Sequence, residues 1–140
     1  MTIELVPLCT IDITLRDEQI LVGQGPAGFR VVAEVGSCTV EGDRLGGTAK
    51  GESGADWLTI VDGIATVDVR MTVETHDGAL VLVTYTGRSD FREGPGAHPI
   101  YSAPKFETGD ERYAWLNIVQ AVAKGSFDGS HVRYEVAEVR

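Results

Sequence analysis

The chain has 140 residues, with 12 basic against 21 acidic side chains, a net charge of −9, and 43% hydrophobic residues. A single domain of this length buries roughly 65–70% of the surface its unfolded chain exposes, so its stability needs neither disulfides nor a structural metal. Basic residues scattered singly in an acidic chain exclude nucleic acid and anionic membranes as partners, since phosphates need clustered Lys and Arg.

From Thr2 to Leu15 polar and apolar residues alternate. Ile3, Leu5, Cys9, Ile11 and Ile13 share one face; Glu4, Thr10, Asp12 and Thr14 share the other. That spacing predicts a long half-buried strand. A turn at Gly25-Pro26-Ala27-Gly28 leads to a second strand over Phe29–Val35, and short strands follow at Ser37–Val40 and Gly47–Lys50 around a glycine-rich bend. Trp57–Val61 runs through Asp62-Gly63 into two alternating runs joined by Asp77-Gly78, a strong hairpin signal. A two-residue loop pairs His76 with Ala79, Val73 with Leu82, Thr72 with Val83 and Arg70 with Tyr85. Cross-strand partners share a face. One face then carries Val67, Val69, Met71, Val73, Leu80 and Leu82; the other carries Thr66, Asp68, Arg70, Thr72, Glu74, Val83 and Tyr85. The polar face is either solvated or lines a pocket. Arg88–Pro99 is a loop through Gly94-Pro95-Gly96, Ile100–Phe106 and Ile118–Lys124 are strands, and His131–Val139 closes the chain.

No segment has a helical apolar stripe longer than about two turns; the best helical candidate is one short turn at Asp110–Leu116. Eight or nine strands at this spacing make an all-β antiparallel barrel or sandwich. No linker or repeat divides the chain, so residues 1–140 are expected to form a single domain. The first residues lack the basic start and apolar core of a signal peptide, and no apolar run approaches the roughly 20 residues of a membrane span. The expected location is cytoplasmic.

Four groups of residues carry candidate chemistry. Asp68, Arg70 and Tyr85 would polarise a carbonyl or carboxylate if they face inward, with Arg as a donor fork, Tyr as donor and Asp as base. If they face outward they form a solvated salt-bridge ladder. Asp56 beside Trp57 is a carboxylate whose pKa desolvation would raise toward neutrality, or else a turn aspartate next to a core tryptophan. Tyr113, Trp115 and Asn117 lie two apart and share a face if extended; with Glu107 they describe an aromatic floor with two polar groups, or a packed barrel corner in which Glu107 caps the backbone around Gly109. Cys9 and Cys38 read as buried reduced thiols, and the three histidines, His76, His98 and His131, have no metal-ligand spacing. Neither a metal nor a nucleotide cofactor is expected, for no phosphate-cradling or nucleophile-elbow motif occurs.

Gly54-Ala55-Asp56-Trp57, Asp68-Val69-Arg70-Met71-Thr72, Asp77-Gly78-Ala79, and Phe106-Glu107-Thr108-Gly109 with Tyr113-Ala114-Trp115-Leu116-Asn117 occur in this order. Together they resemble the small bacterial family called domain of unknown function 3237, over Leu5 to Glu138. The resemblance implies a single lipocalin-like β-barrel. It also implies a longer insertion where this chain has Ser89–His98, a segment that would cover one end of the barrel.

The resulting expectation is a cofactor-free acid/base enzyme, a lyase, dehydratase, isomerase or hydrolase. Its substrate would be a small oxygenated, partly apolar or aromatic metabolite. Asp56, Asp68, Arg70 and Glu107 would be its catalytic groups, and Trp57, Tyr85, Tyr113, Trp115 and Asn117 its substrate contacts. The alternatives are a carrier or sensor with the same pocket and no turnover, and a structural, oligomer-forming module. A homo-oligomer is expected in any case, because the apolar hairpin face leaves surface to bury.

Overall fold

The alternating stretches become eleven strands in one antiparallel sheet. The computed structural model describes residues 1–140. The strands are β1 (Leu5–Leu15), β2 (Ile20–Gly25), β3 (Gly28–Glu41), β4 (Gly47–Ala49), β5 (Ala55–Val61), β6 (Ile64–Thr75), β7 (Leu80–Asp90), β8 (Ile100–Ser102), β9 (Lys105–Glu107), β10 (Ala121–Phe127) and β11 (His131–Val139). Eight of them close a ring in the order β1-β3-β5-β6-β7-β8-β10-β11, and β11 pairs back onto β1. Closure removes the open edges that would otherwise seed aggregation. β2 lies beside β3, β4 bridges β3 and β6, and β9 continues alongside β7.

The inward positions of the ring form one hydrophobic core. At the lower end sit the β6–β7 turn and a 3₁₀ helix, Glu111–Ile118. Asp110 caps that helix by accepting from the Arg112 N–H at 2.9 Å, and the wholly buried Leu116 plugs the barrel from below. The upper end is flanked by the β1–β2 connection and by residues 91–99.

Several expectations change in detail. A β-bulge between Pro7 and Cys9 flips the phase of β1, so Ile11 and Ile13 are buried while Leu5 is exposed; Ile3, also exposed, precedes the strand. Ser37–Val40 is not a separate strand but the far end of β3, and β2 was not anticipated. Ile100–Phe106 is split in two around Ala103 and Pro104, the latter having no N–H for the ladder. Ile118 ends the helix rather than starting a strand.

The hairpin register is the largest correction. Its loop has three residues, His76, Asp77 and Gly78, and Thr75 and Ala79 close it through the Thr75 N–H to Ala79 carbonyl bond at 2.8 Å. The Gly78 N–H bonds to the Thr75 carbonyl and Gly78 has φ +90°, a type I turn followed by a left-handed residue. Thr75 Oγ1 donates to Asp77 Oδ1 at 2.6 Å and accepts from the Ala79 N–H at 2.8 Å, which fixes the loop length. Val69 therefore pairs with Tyr85, Met71 with Val83 and Arg70 with Thr84. Relative to a two-residue loop the whole of β7 turns over, so Val81, Val83 and Tyr85 go into the core and Leu80 and Leu82 face outward. The apolar hairpin face is thus core, and offers no surface for a second copy.

Candidate active site

The upper half of the barrel interior holds a cavity of about 150 Å³. Its walls are aliphatic, with Val31, Val35, Leu58, Val67, Val69 and Val132 among them, and its mouth is framed by Phe91, Pro95, Phe127 and Gln19. Phe91 and Pro95 belong to the loop after β7, so the segment expected to cover one end of the barrel does contribute to the mouth. Among these side chains three polar ones converge from different strands: Asp56 of β5, Tyr85 of β7 and Tyr134 of β11. Asp56 is the only charged residue in the lining, and no Lys, Arg or His reaches it.

Asp56 sits where the β5–β6 ladder lapses. Pairing runs through Asp56↔Val69 and resumes at Thr59↔Thr66. In the gap the Asp68 N–H donates to Asp56 Oδ1 at 2.8 Å, and the Trp57 carbonyl accepts from Arg30 at 2.7 Å. One carboxylate oxygen is thereby held by the backbone. Desolvation against the apolar walls pushes the Asp56 carboxyl up from 3.8 to about 6; the Asp68 N–H offsets part of this, and the nearby Asp68 charge adds to it. Asp56 thus changes protonation state close to neutrality, the property that suits a general acid or base.

The two tyrosines pack edge to face, with ring centroids 5.2 Å apart and planes at 69°. Burial raises Tyr85 well above the usual phenol range, and the proximity of Tyr134 and of the Asp56 charge raises it further. Tyr134 is raised chiefly by burial, with the neighbouring Tyr85 hydroxyl lowering it in part and the Asp56 charge raising it. Both phenols stay protonated at any physiological pH. Both phenol hydroxyls line the cavity with Asp56, and each can donate to a ligand oxygen there. Room for the Tyr134 ring comes from Gly125, its cross-strand neighbour, where a Cβ would lie 2.6 Å from two ring carbons.

The structure thus brings Asp56 and Tyr85 together and adds Tyr134. A tyrosine among Val132 and Val136 on the inward face of β11 was the available signal, since a buried phenol needs a partner. The other expected site residues lie elsewhere. Asp68 and Arg70 are exposed on the outer face of β6, the solvated alternative; only the backbone N–H of Asp68 touches the site. Trp57 points outward from β5 and is 37% exposed.

Glu107, Tyr113, Trp115 and Asn117 gather at the opposite end of the barrel, around the 3₁₀ helix, and do not share an extended face. Glu107 is exposed, and the capping role falls to Asp110 instead. Tyr113 donates to Asp77 Oδ1 at 2.9 Å, and Trp115 stacks under Arg44, whose guanidinium carbon is 5.1 Å from the ring centroid. Asn117 clasps Thr108, accepting from its N–H at 2.9 Å and donating to its carbonyl at 3.0 Å. These contacts fasten the helix and the β6–β7 turn to the barrel. Cys9 and Cys38 are free and buried, and burial pushes both thiols up to about 12. A broader depression of about 950 Å³ is lined by charged side chains, Glu41, Arg44, Lys124 and Glu135 among them, as well as apolar ones.

Residues 3–139 match the family described as protein of unknown function (DUF3237). The chain belongs to this family. It is similar to a β-barrel-like protein from Acinetobacter baumannii, at 28% identity and TM-score 0.89 over 100% of this chain and 98% of that one. It also resembles a protein of unknown function from Clostridium acetobutylicum, at 23% identity and TM-score 0.90, covering 99% and 100%. An enzyme from Penicillium herquei shares the fold at 23% identity and TM-score 0.66, covering 98% and 93%. A curated relative, the hydroalkoxylation enzyme phnH of Penicillium herquei, is 37% identical over 81 residues, 58% of this chain and 44% of that protein. The matched segment therefore spans less than half the length of that relative. No helix of this chain is long and apolar enough to cross a membrane.

Proposed function

We propose that this protein is a cofactor-free acid/base enzyme. It adds a substrate hydroxyl across an activated carbon–carbon double bond in the same molecule, or catalyses the reverse elimination. The observation that carries the reading is the placement of Asp56, poised near pH 6, beside the Tyr85–Tyr134 pair in an otherwise apolar cavity. The hydroalkoxylation activity named for the Penicillium herquei relative supports the same class of chemistry.

In the forward direction the Asp56 carboxylate takes the proton from the substrate hydroxyl. The oxygen then bonds to the far carbon of a double bond conjugated to a carbonyl, and the displaced electron pair moves onto the carbonyl oxygen. Tyr134 donates to that oxygen as its charge develops; such preorganised donors are commonly the largest part of acyl- and enolate-type catalysis. Protonated Asp56 returns its proton to the adjacent carbon. Atoms and electrons balance within one molecule, so the reaction consumes no redox partner. A positioned general base and acid contributes roughly 10²–10⁴-fold.

A suitable probe is (E)-7-hydroxyhept-3-en-2-one, which closes to the single-ring 1-(oxolan-2-yl)propan-2-one. Saturable acceleration by the wild-type protein is expected, lost by about 10²-fold or more in Asp56→Asn and by a smaller factor in Tyr134→Phe. No acceleration over buffer across a set of hydroxy-enones, or an Asp56→Asn protein as active as wild type, overturns the reading.

A further inference from the structure

We infer that the ligand of this cavity is an uncharged, single-ring compound that carries a hydroxyl, bound with its oxygen against Asp56 and Tyr134 and its ring toward the mouth. The inference rests on the site just described but specifies what enters it, whether or not turnover follows.

The charge inside the barrel decides against an acid. Asp56 is the only charged group lining the cavity, and Arg70, the cation expected in the site, is on the outer face of β6. A ligand carboxylate would be desolvated beside a second carboxylate with no cation to compensate either, which proteins avoid by excluding or neutralising the group. An ammonium is attracted to Asp56 but brings three N–H donors. One Asp56 oxygen already accepts from the Asp68 N–H, the other acceptors are the two phenol oxygens with Gln19 at the mouth, and the rest of the wall is hydrocarbon, so an ammonium loses more hydration on entry than a hydroxyl does.

A hydroxyl matches what is left. Its proton goes to the free Asp56 oxygen, and its oxygen accepts from the Tyr134 hydroxyl, which lines the cavity. Beyond that one polar end the cavity offers valine, leucine and phenylalanine surface, which leaves the hydroxyls of a sugar-like ligand unsatisfied. The volume sets the size: about 150 Å³ is the space that benzene fills in an apolar protein cavity. Two fused rings would have to extend past Phe91 and Pro95 into the mouth.

Calorimetric titration of the whole chain at pH 7.5 tests this with p-cresol, toluene, benzoate, benzylamine and 2-naphthol. The expected result is saturable binding of p-cresol about tenfold or more tighter than toluene, as a charge-assisted hydrogen bond supplies. Benzoate and benzylamine should bind at least tenfold more weakly than p-cresol, and 2-naphthol more weakly as well. In Tyr134→Phe, toluene binding should persist while the preference for p-cresol shrinks to a few-fold. Benzoate or benzylamine equal to p-cresol, toluene equal to p-cresol, or no binding of any probe overturns the inference. Binding of p-cresol as expected with no turnover of hydroxy-enones leaves the ligand class standing and overturns the enzyme reading alone.

Discussion

Replacing Asp56 with Asn should make the protein more stable and, on the proposed function, inactive. The native fold holds the Asp56 proton up to about pH 6, whereas the unfolded chain releases it near 3.8. Between these values unfolding releases a proton, so stability falls as pH rises. The contribution is fully present below pH 3.8 and gone above pH 6. At 1.36 kcal/mol per pH unit the interval corresponds to roughly 3 kcal/mol. Asp56 is only half-buried, so roughly 1–3 kcal/mol is the expected range. Asparagine keeps a carbonyl oxygen to accept the Asp68 N–H, now at 2.8 Å, and discards the desolvated charge. Denaturant unfolding of both proteins from pH 3.5 to 8 should show the variant more stable by that amount at pH 7.5, with the gap closing below pH 4. Carboxylates whose native pKa is lowered, such as Asp77, Asp110 and Asp128, weaken both proteins in acid and cancel in the difference. Two parallel stability curves would refute the reasoning, because a carboxyl without a raised pKa leaves no pH-dependent gap.

Arg70→Met removes an exposed outer-face charge, and should change stability by less than about 1 kcal/mol and leave p-cresol affinity unaltered; a tenfold loss of affinity would place Arg70 in the site after all. Gly125→Ala sets a Cβ against the Tyr134 ring, and should destabilise by roughly 1–3 kcal/mol through overpacking while weakening p-cresol more than toluene; equal weakening of both ligands would mean that the ring stays in place. Cys9 and Cys38, buried with thiols pushed up to about 12, should resist iodoacetamide at pH 8 in the native protein and react once it is unfolded; rapid native alkylation at either position would contradict the packing.

Much of this molecule was legible one residue at a time. Alternation in β1, β6, β7 and β11 shows up in the sequence because a half-buried strand must sort its side chains every second residue. The short helical turn near Asp110 and the buried, reduced cysteines follow from equally local chemistry. Asp56 was visible as a carboxylate whose environment could lift it, since it adjoins large apolar residues at the entry to a strand. The aromatic set from Tyr113 to Asn117 misled because two-residue spacing says nothing about whether the backbone is extended or coiled there, and the Asp110 cap coils it.

What a sequence determines by itself is what depends on neighbours along the chain: strand periodicity, turn composition, charge, and the all-β class. What only the tertiary structure decided is which face of each strand looks inward and which distant side chains meet. The β6–β7 hairpin shows why. Both a two-residue and a three-residue loop fit Asp77-Gly78, and the choice rests on the Thr75 hydroxyl bridging Asp77 and the Ala79 N–H. One residue of register moves every side chain of a strand to the other side of the sheet. That single step puts Tyr85 inside beside Tyr134 and parts it from Asp68 and Arg70, which lie on the outer face of β6, so that Asp56 is the one charge within the cavity.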